Sequence, residues 1–306
     1  MTDVQGVDTA ASAVRMGQAL LDAGNPRGAQ THFHTALAGN PANPAALRGL
    51  IRAKLALNEA AEARETVDQL ARVAPNDVAT HELRARAHIK QGAHPLAADA
   101  AEAMIKAAPN NPMGFHLLAA ARLGQKRNRE AFEAVQAARK LAPHWAILLA
   151  QSGLARLELS GPYAARRDIE QAYRLAPRDP YVAYIAAVLA MALGHTRRTR
   201  ELCASILRRD VNHRNALDLY VLTDGPFPMH RWAYRWTYFC RIAGPLAWIP
   251  RGLGLLLYFA IFIVLGVATA GGGWVFIFAL RLWTAGEKRE RAKRVRDHFA
   301  APTVTG

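Results

Sequence analysis

The chain has 306 residues, a formal net charge of +15 and a sequence pI of about 10.5. Its two cysteines, Cys203 and Cys240, stand far apart and outside any Cys-x-x-Cys, which excludes a disulfide framework and a zinc ribbon. A basic balance suits anionic lipid headgroups, acidic peptides or nucleic acid, and the charge is unevenly placed: residues 1–213 carry 27 Lys and Arg against 19 Asp and Glu, the remainder 12 against 5.

Residues 1–9 read as a flexible N-terminus. Asp3 and Asp8 and the lack of an apolar run are unlike a secretory signal, so the segment that follows is expected to stay in the cytosol.

From there the chain is periodic. Pro41, Pro75, Pro109, Pro143 and Pro177 recur every 34 residues, each closing a phrase such as Arg-Val-Ala-Pro or Lys-Leu-Ala-Pro. Twelve residues before each proline stands an alanine: Ala29, Ala63, Ala97, Ala131 and Ala165. A second-helix stripe follows in the same register, through Phe33, Val67, Ala101, Val135 and Ile169 and then Ala36, Leu70, Met104, Ala138 and Ala172. Gly17, Ile51, Ala85, Ala119 and Gly153 mark a crossing point on the first helix, and Gly24, Gly92, Gly161 and Gly194 fall near the turn between helices.

A helix-turn-helix of this period resembles the tetratricopeptide repeat (TPR). The resemblance covers about residues 10 to 213 as six repeats, 10–43, 44–77, 78–111, 112–145, 146–179 and 180–213, with a cap helix at 214–224. It departs from the family in keeping the early first-helix aromatic only as Phe115, and in having Thr199 and Val211 where alanine and proline belong. The resemblance implies an all-α fold, a right-handed α-solenoid whose first helices line a groove for a partner protein or peptide, without catalytic chemistry of its own.

On that wall the register places Arg48, Arg52, Glu82, Arg86, Lys90 and His116, because first-helix residues four apart share a face. The cations suit an acidic peptide or free carboxylate. The asparagines of the family's carboxylate clamp are missing, so a chaperone C-terminus is not the expected ligand. Farther along, Tyr181 and Tyr184, with Ile147, Leu154 and Val188, offer an apolar or aromatic anchor.

Gly225-Pro226-Phe227-Pro228 ends the pattern and opens a juxtamembrane segment, 225–251. Gly252 to Leu280 then runs for 29 residues without a charge, long enough to cross a bilayer. Arg231, Trp232, Arg235, Trp236, Arg251, Trp274, Arg281 and Trp283 supply interfacial cations and aromatics around a membrane segment at 252–285. Both flanks are basic, so both belong in the cytosol, and Gly271-Gly272-Gly273 offers a bend. A transmembrane helical hairpin or re-entrant loop is therefore preferred to a single span, although its second arm is short. Residues 286–306 read as a basic cytosolic tail, with 287–296 a solvated helix near anionic lipid.

No phosphate-cradling loop, His-Glu-x-x-His or Gly-x-Ser-x-Gly is present, so no enzyme, cofactor or metal is expected; His32, His34, His81 and His88 read as exposed helix histidines. The function that emerges is a membrane-anchored scaffold or adaptor at a bacterial inner membrane, repeats on the cytosolic side. It would bind a protein or peptide ligand of acidic character and an anionic bilayer rather than nucleic acid. The alternative is an auxiliary subunit of a transport or secretion complex, engaged through the membrane hairpin.

Overall fold

The computed structural model describes residues 2–223 and 290–300, with side chains from Thr9 onward. The described residues form two compact units, divided between Gln151 and Ser152. The first unit holds α1 (Thr2–Asp22), α2 (Pro26–Gly39), α3 (Pro44–Ala56), α4 (Ala60–Val73), α5 (Val78–Gln91), α6 (His94–Ala107), α7 (Pro112–Gly124), α8 (Asn128–Leu141) and the start of α9 (Ala146–Ser160). The second continues α9 and adds α10 (Pro162–Leu175), α11 (Pro180–Ala192), α12 (Thr196–Leu207), α13 (Arg214–Thr223) and a helix α14 over 290–300.

The periodic prolines act two residues beyond the helix end. At Asn40, Ala74, Ala108, Ala142 and Ala176 the backbone leaves the helix with φ between −145° and −139°, the extended state a following proline imposes. Two residues after four of those prolines an Asn or Asp starts the next helix. Asn43, Asn111 and Asp179 accept a hydrogen bond from the first free amides of α3, α7 and α11, each of which has proline in its first turn, and Asp77 does the same for α5 without a proline.

The hairpin turns need a left-handed residue, and they find one at Gly24, Asn58, Gly92, Lys126, Gly161 and Gly194, all with φ between 64° and 86°. The sequence pattern shows the four glycines; Asn58 and Lys126 adopt the same conformation against their Cβ sterics because the hairpin geometry requires it.

Inside the first unit the periodic alanines Ala29, Ala63, Ala97 and Ala131 have no exposed surface, which lets paired helices approach closely. Large and small residues compensate across that contact: a Cβ added at Gly17 would lie 2.7 Å from Phe33, and one at Gly49 would overlap the same ring. Phe33, Ile51, Leu70 and Met104 are almost fully buried, each such side chain contributing roughly 1.5–3 kcal/mol. Each first helix also touches the next first helix, α1 with α3, α3 with α5 and α5 with α7, so that first-helix faces stand side by side.

In the second unit Ala165, Ile169, Ala172, Cys203 and Ile206 fill the equivalent core. Burial pushes the Cys203 thiol up to about 12, leaving it inert. Buried Asp168 accepts a 2.6 Å hydrogen bond from Ser152 and lies 3.6 Å from Arg156, which together satisfy a carboxylate that burial alone would penalise.

Helix α1 begins at Thr2, and the alanines at 10, 11 and 13 favour its helical conformation. One feature differs from the sequence reading. The tail helix is not solvated on all sides. Along α14, Ala292, Val295 and Phe299 form a stripe, and Val295 is buried in one cluster with Leu207, Leu217 and Val221.

Candidate ligand-binding groove

In the first unit α1, α3 and α5 enclose a groove of about 600 Å³, lined by Arg15, Gln18, Arg48, Arg52, Glu82 and Arg86 together with small and apolar residues. Four guanidiniums and one carboxylate line it. Arg15 and Arg52 are exposed, whereas Arg48 and Arg86 are half-buried.

Their partners divide them into two kinds. Arg48 donates from Nη1 to Asp77 Oδ2 at 2.7 Å, and Arg86 pairs with Glu82 one helical turn earlier at 2.8 Å. Arg52 reaches only the Gln18 amide oxygen, at 3.4 Å, and neither it nor Arg15 forms an ion pair among the described residues. Among the described residues, positive charge without a carboxylate partner therefore concentrates at Arg15 and Arg52. The register of the first helices picks out neither Asp77, which lies just before α5, nor Arg15, which lies one repeat before Gly49.

The remaining predicted groove residues lie apart. Lys90 is exposed near the far end of α5, donates to Asn58 Oδ1 at 3.0 Å and is not part of the groove lining. His116 on α7 has Nδ1 2.9 Å from Gln151 Oε1, its ring tilted over Trp145 at 5.0 Å, and Gln151 Nε2 donates to the His116 carbonyl at 3.3 Å. Burial holds the His116 pKa below its usual value, with Arg86 pressing in the same direction and the Gln151 hydrogen bond opposing, so the ring stays neutral at pH 7.

Tyr181 and Tyr184 belong to the second unit. Burial raises the Tyr181 hydroxyl pKa, and the Asp179 carboxylate adds to it. Tyr184 packs against the cluster that contains Val295 and lies 6.0 Å from the His213 ring. The expected free aromatic anchor is thus partly covered by the chain itself.

Among the described residues no group of His, Cys, Asp and Glu could hold a metal ion, and no helix is long and apolar enough to cross a membrane. The predicted interface residues Arg231, Trp232, Arg235, Trp236, Arg251, Trp274, Arg281 and Trp283 lie outside the described residues, as does the whole of 252–285.

Residues 20–87 match the tetratricopeptide repeat family. No curated protein matches the chain. Among solved structures, the APC/C hetero-tetramer Cut9–Hcn1 is similar with a TM-score of 0.59 at 18% identity, over 69% of this chain and 42% of that one, so the likeness is to part of a longer protein. PilF of Pseudomonas aeruginosa is similar with a TM-score of 0.52 at 13% identity, over 69% of this chain and 96% of that one. At these identities the likeness is one of fold. The family match and the two folds support a tetratricopeptide-repeat protein, an all-helical solenoid of 14 helices among the described residues. Such a fold generally serves as a protein–protein interaction scaffold, and its members are typically not enzymes.

Proposed function

We propose that the protein is a non-enzymatic, membrane-anchored scaffold that captures an acidic segment of a partner protein in the groove of α1, α3 and α5. The observation that carries this reading is the pair Arg15 and Arg52, two guanidiniums on neighbouring first helices of one groove, without a carboxylate partner among the described residues. A guanidinium binds carboxylate through two parallel charge-assisted hydrogen bonds, and cations facing a shared groove favour a ligand that carries more than one acid.

The membrane part rests on sequence alone: an uncharged run bounded by Arg251 and Arg281, basic on both flanks. We place it in the inner membrane of a bacterial-type cell with the repeats on the cytosolic side and anionic headgroups near 231–251 and 286–306. Fluorescence anisotropy with labelled Glu-rich and Lys-rich peptides of equal length tests the ligand class. Selective binding of the acidic peptide, weakening as salt rises, supports it; equal binding of both removes it.

A further inference from the structure

Helix α13 is the first helix of a hairpin whose second helix does not follow it among the described residues. Leu217 and Val221 stand five repeat lengths after Leu47 and Ile51. In the first unit Leu47 and Ile51 are covered by the second helix of their own hairpin, through Ala63, Val67 and Leu70 of α4. In the second unit Leu217 and Val221 share their cluster with Val295 of α14, and Ala292 and Phe299 pack against it. The stripe is the same in kind: a small residue, a valine and a larger apolar residue at positions i, i+4 and i+7 in α4, and at i, i+3 and i+7 in α14. Phe299 adds an edge-to-face contact with Tyr220 of α13, ring centroids 5.6 Å apart.

We infer that α14 is the surrogate second helix of a seventh repeat, and that the exposed face of α13 is a helix-receiving surface whose resident ligand is the chain's own 290–300. Helix α14 is held on α13 by burial of Val295 among Leu207, Leu217 and Val221. Its exposed face carries Lys293, Arg294 and Arg296, which keeps the outer side of the terminal hairpin solvated as an end repeat requires.

One consequence concerns topology, and it rests on the membrane reading proposed above. Docking of α14 on α13 brings residue 290 back to the repeat that residue 223 leaves. For a chain embedded through 252–285, both ends of the embedded segment must then lie on one face of the bilayer. A single crossing would set about 30 Å of hydrocarbon between Val295 and Leu217.

The test uses the full chain in whole cells that are crosslinked and then separated into membrane and soluble fractions, with Cys240→Ser and the pair Tyr220→Cys and Phe299→Cys. Buried Cys203, its thiol pushed up to about 12, stays unreactive toward a short bis-maleimide crosslinker. The expected result is a crosslink between 220 and 299 within one chain, lost when Val295→Asp is added while the helical signal of the repeats persists. A crosslink within a chain found only in the soluble fraction leaves the docking intact and removes the membrane reading. A membrane-bound chain with no crosslink, or with crosslinks only between chains, overturns the docking and leaves the membrane reading standing.

Discussion

Asp77 uses its two carboxylate oxygens for two tasks: Oδ1 accepts from the Ala79 amide at 3.2 Å and caps α5, while Oδ2 holds Arg48 at 2.7 Å. One residue thus links the helix start of repeat three to the charge state of the groove. The two tasks separate by substitution. Asparagine keeps a capping oxygen but not the charge, so Asp77→Asn should change stability by less than about 1 kcal/mol, because the pair is a third or more exposed on both sides, at 38% and 33%. With Arg48 released, affinity for an acidic peptide should rise about two- to fivefold. Asp77→Ala loses the cap as well and should cost about 1 kcal/mol, read by chemical denaturation.

Lys126 sits at φ 64° in the turn between α7 and α8, and its side chain is exposed. Glycine relieves the left-handed strain without removing packing, so Lys126→Gly should stabilise the protein by roughly 0.5–1 kcal/mol. At Gly92, with φ 75°, the reverse substitution Gly92→Ala should destabilise by a similar amount. Equal denaturation midpoints for both variants and the parent would contradict the turn account.

Gly17 faces Phe33, whose Cε1 would lie 2.7 Å from an added Cβ. Phe33 is 1% exposed and has no room to retreat. Gly17→Ala should therefore cost about 1–3 kcal/mol, and Gly17→Ala with Phe33→Leu should recover part of that loss, a coupling that a double-mutant cycle measures.

His116 gives a pH dependence of defined sign. Its folded pKa lies below the 6.5 of the free side chain, so the unfolded chain takes up the proton first. Stability is full above pH 6.5 and declines as pH falls through that value toward the folded pKa. His81 and His88, also lowered chiefly by burial, act with the same sign. The difference in denaturation midpoint between pH 7.5 and 5.5 should shrink in His116→Gln without vanishing; an unchanged difference would show that the His116 environment carries no such penalty.

Much of the fold was legible because the repeat writes each physical constraint several times. Prolines end the second helices, alanines let the pairs approach, and the stripe through Phe33 and Ile169 is buried as its spacing implies. What stayed hidden are features without a type signature. Asn58 and Lys126 occupy left-handed turns that only glycine announces, and α14 closes on α13 across a distance in sequence that no local period spans. The groove was legible as a register of Arg48, Arg52 and Arg86. Which cations are already paired depends on where Asp77 and Glu82 point, and Arg15 joins only because α1 lies against α3. Lys90 shares the face of Arg86 by spacing but sits beyond the groove, since a helix face is longer than the cavity it lines.

In the proposed function, positive charge at Arg15 and Arg52, unpaired among the described residues, selects an acidic ligand. Calorimetric titration of a Glu-rich peptide into the parent and into the Arg15→Ala, Arg52→Ala double variant tests it most directly, with Arg129→Ala, Arg197→Ala as a control of equal net charge at positions 88% and 95% exposed. The groove variant should bind about 10- to 100-fold more weakly, as the loss of charged hydrogen bonds worth roughly 1.5–3 kcal/mol implies, while the control stays within about twofold. Equal weakening of the two variants, or none in the groove variant, would contradict the assignment.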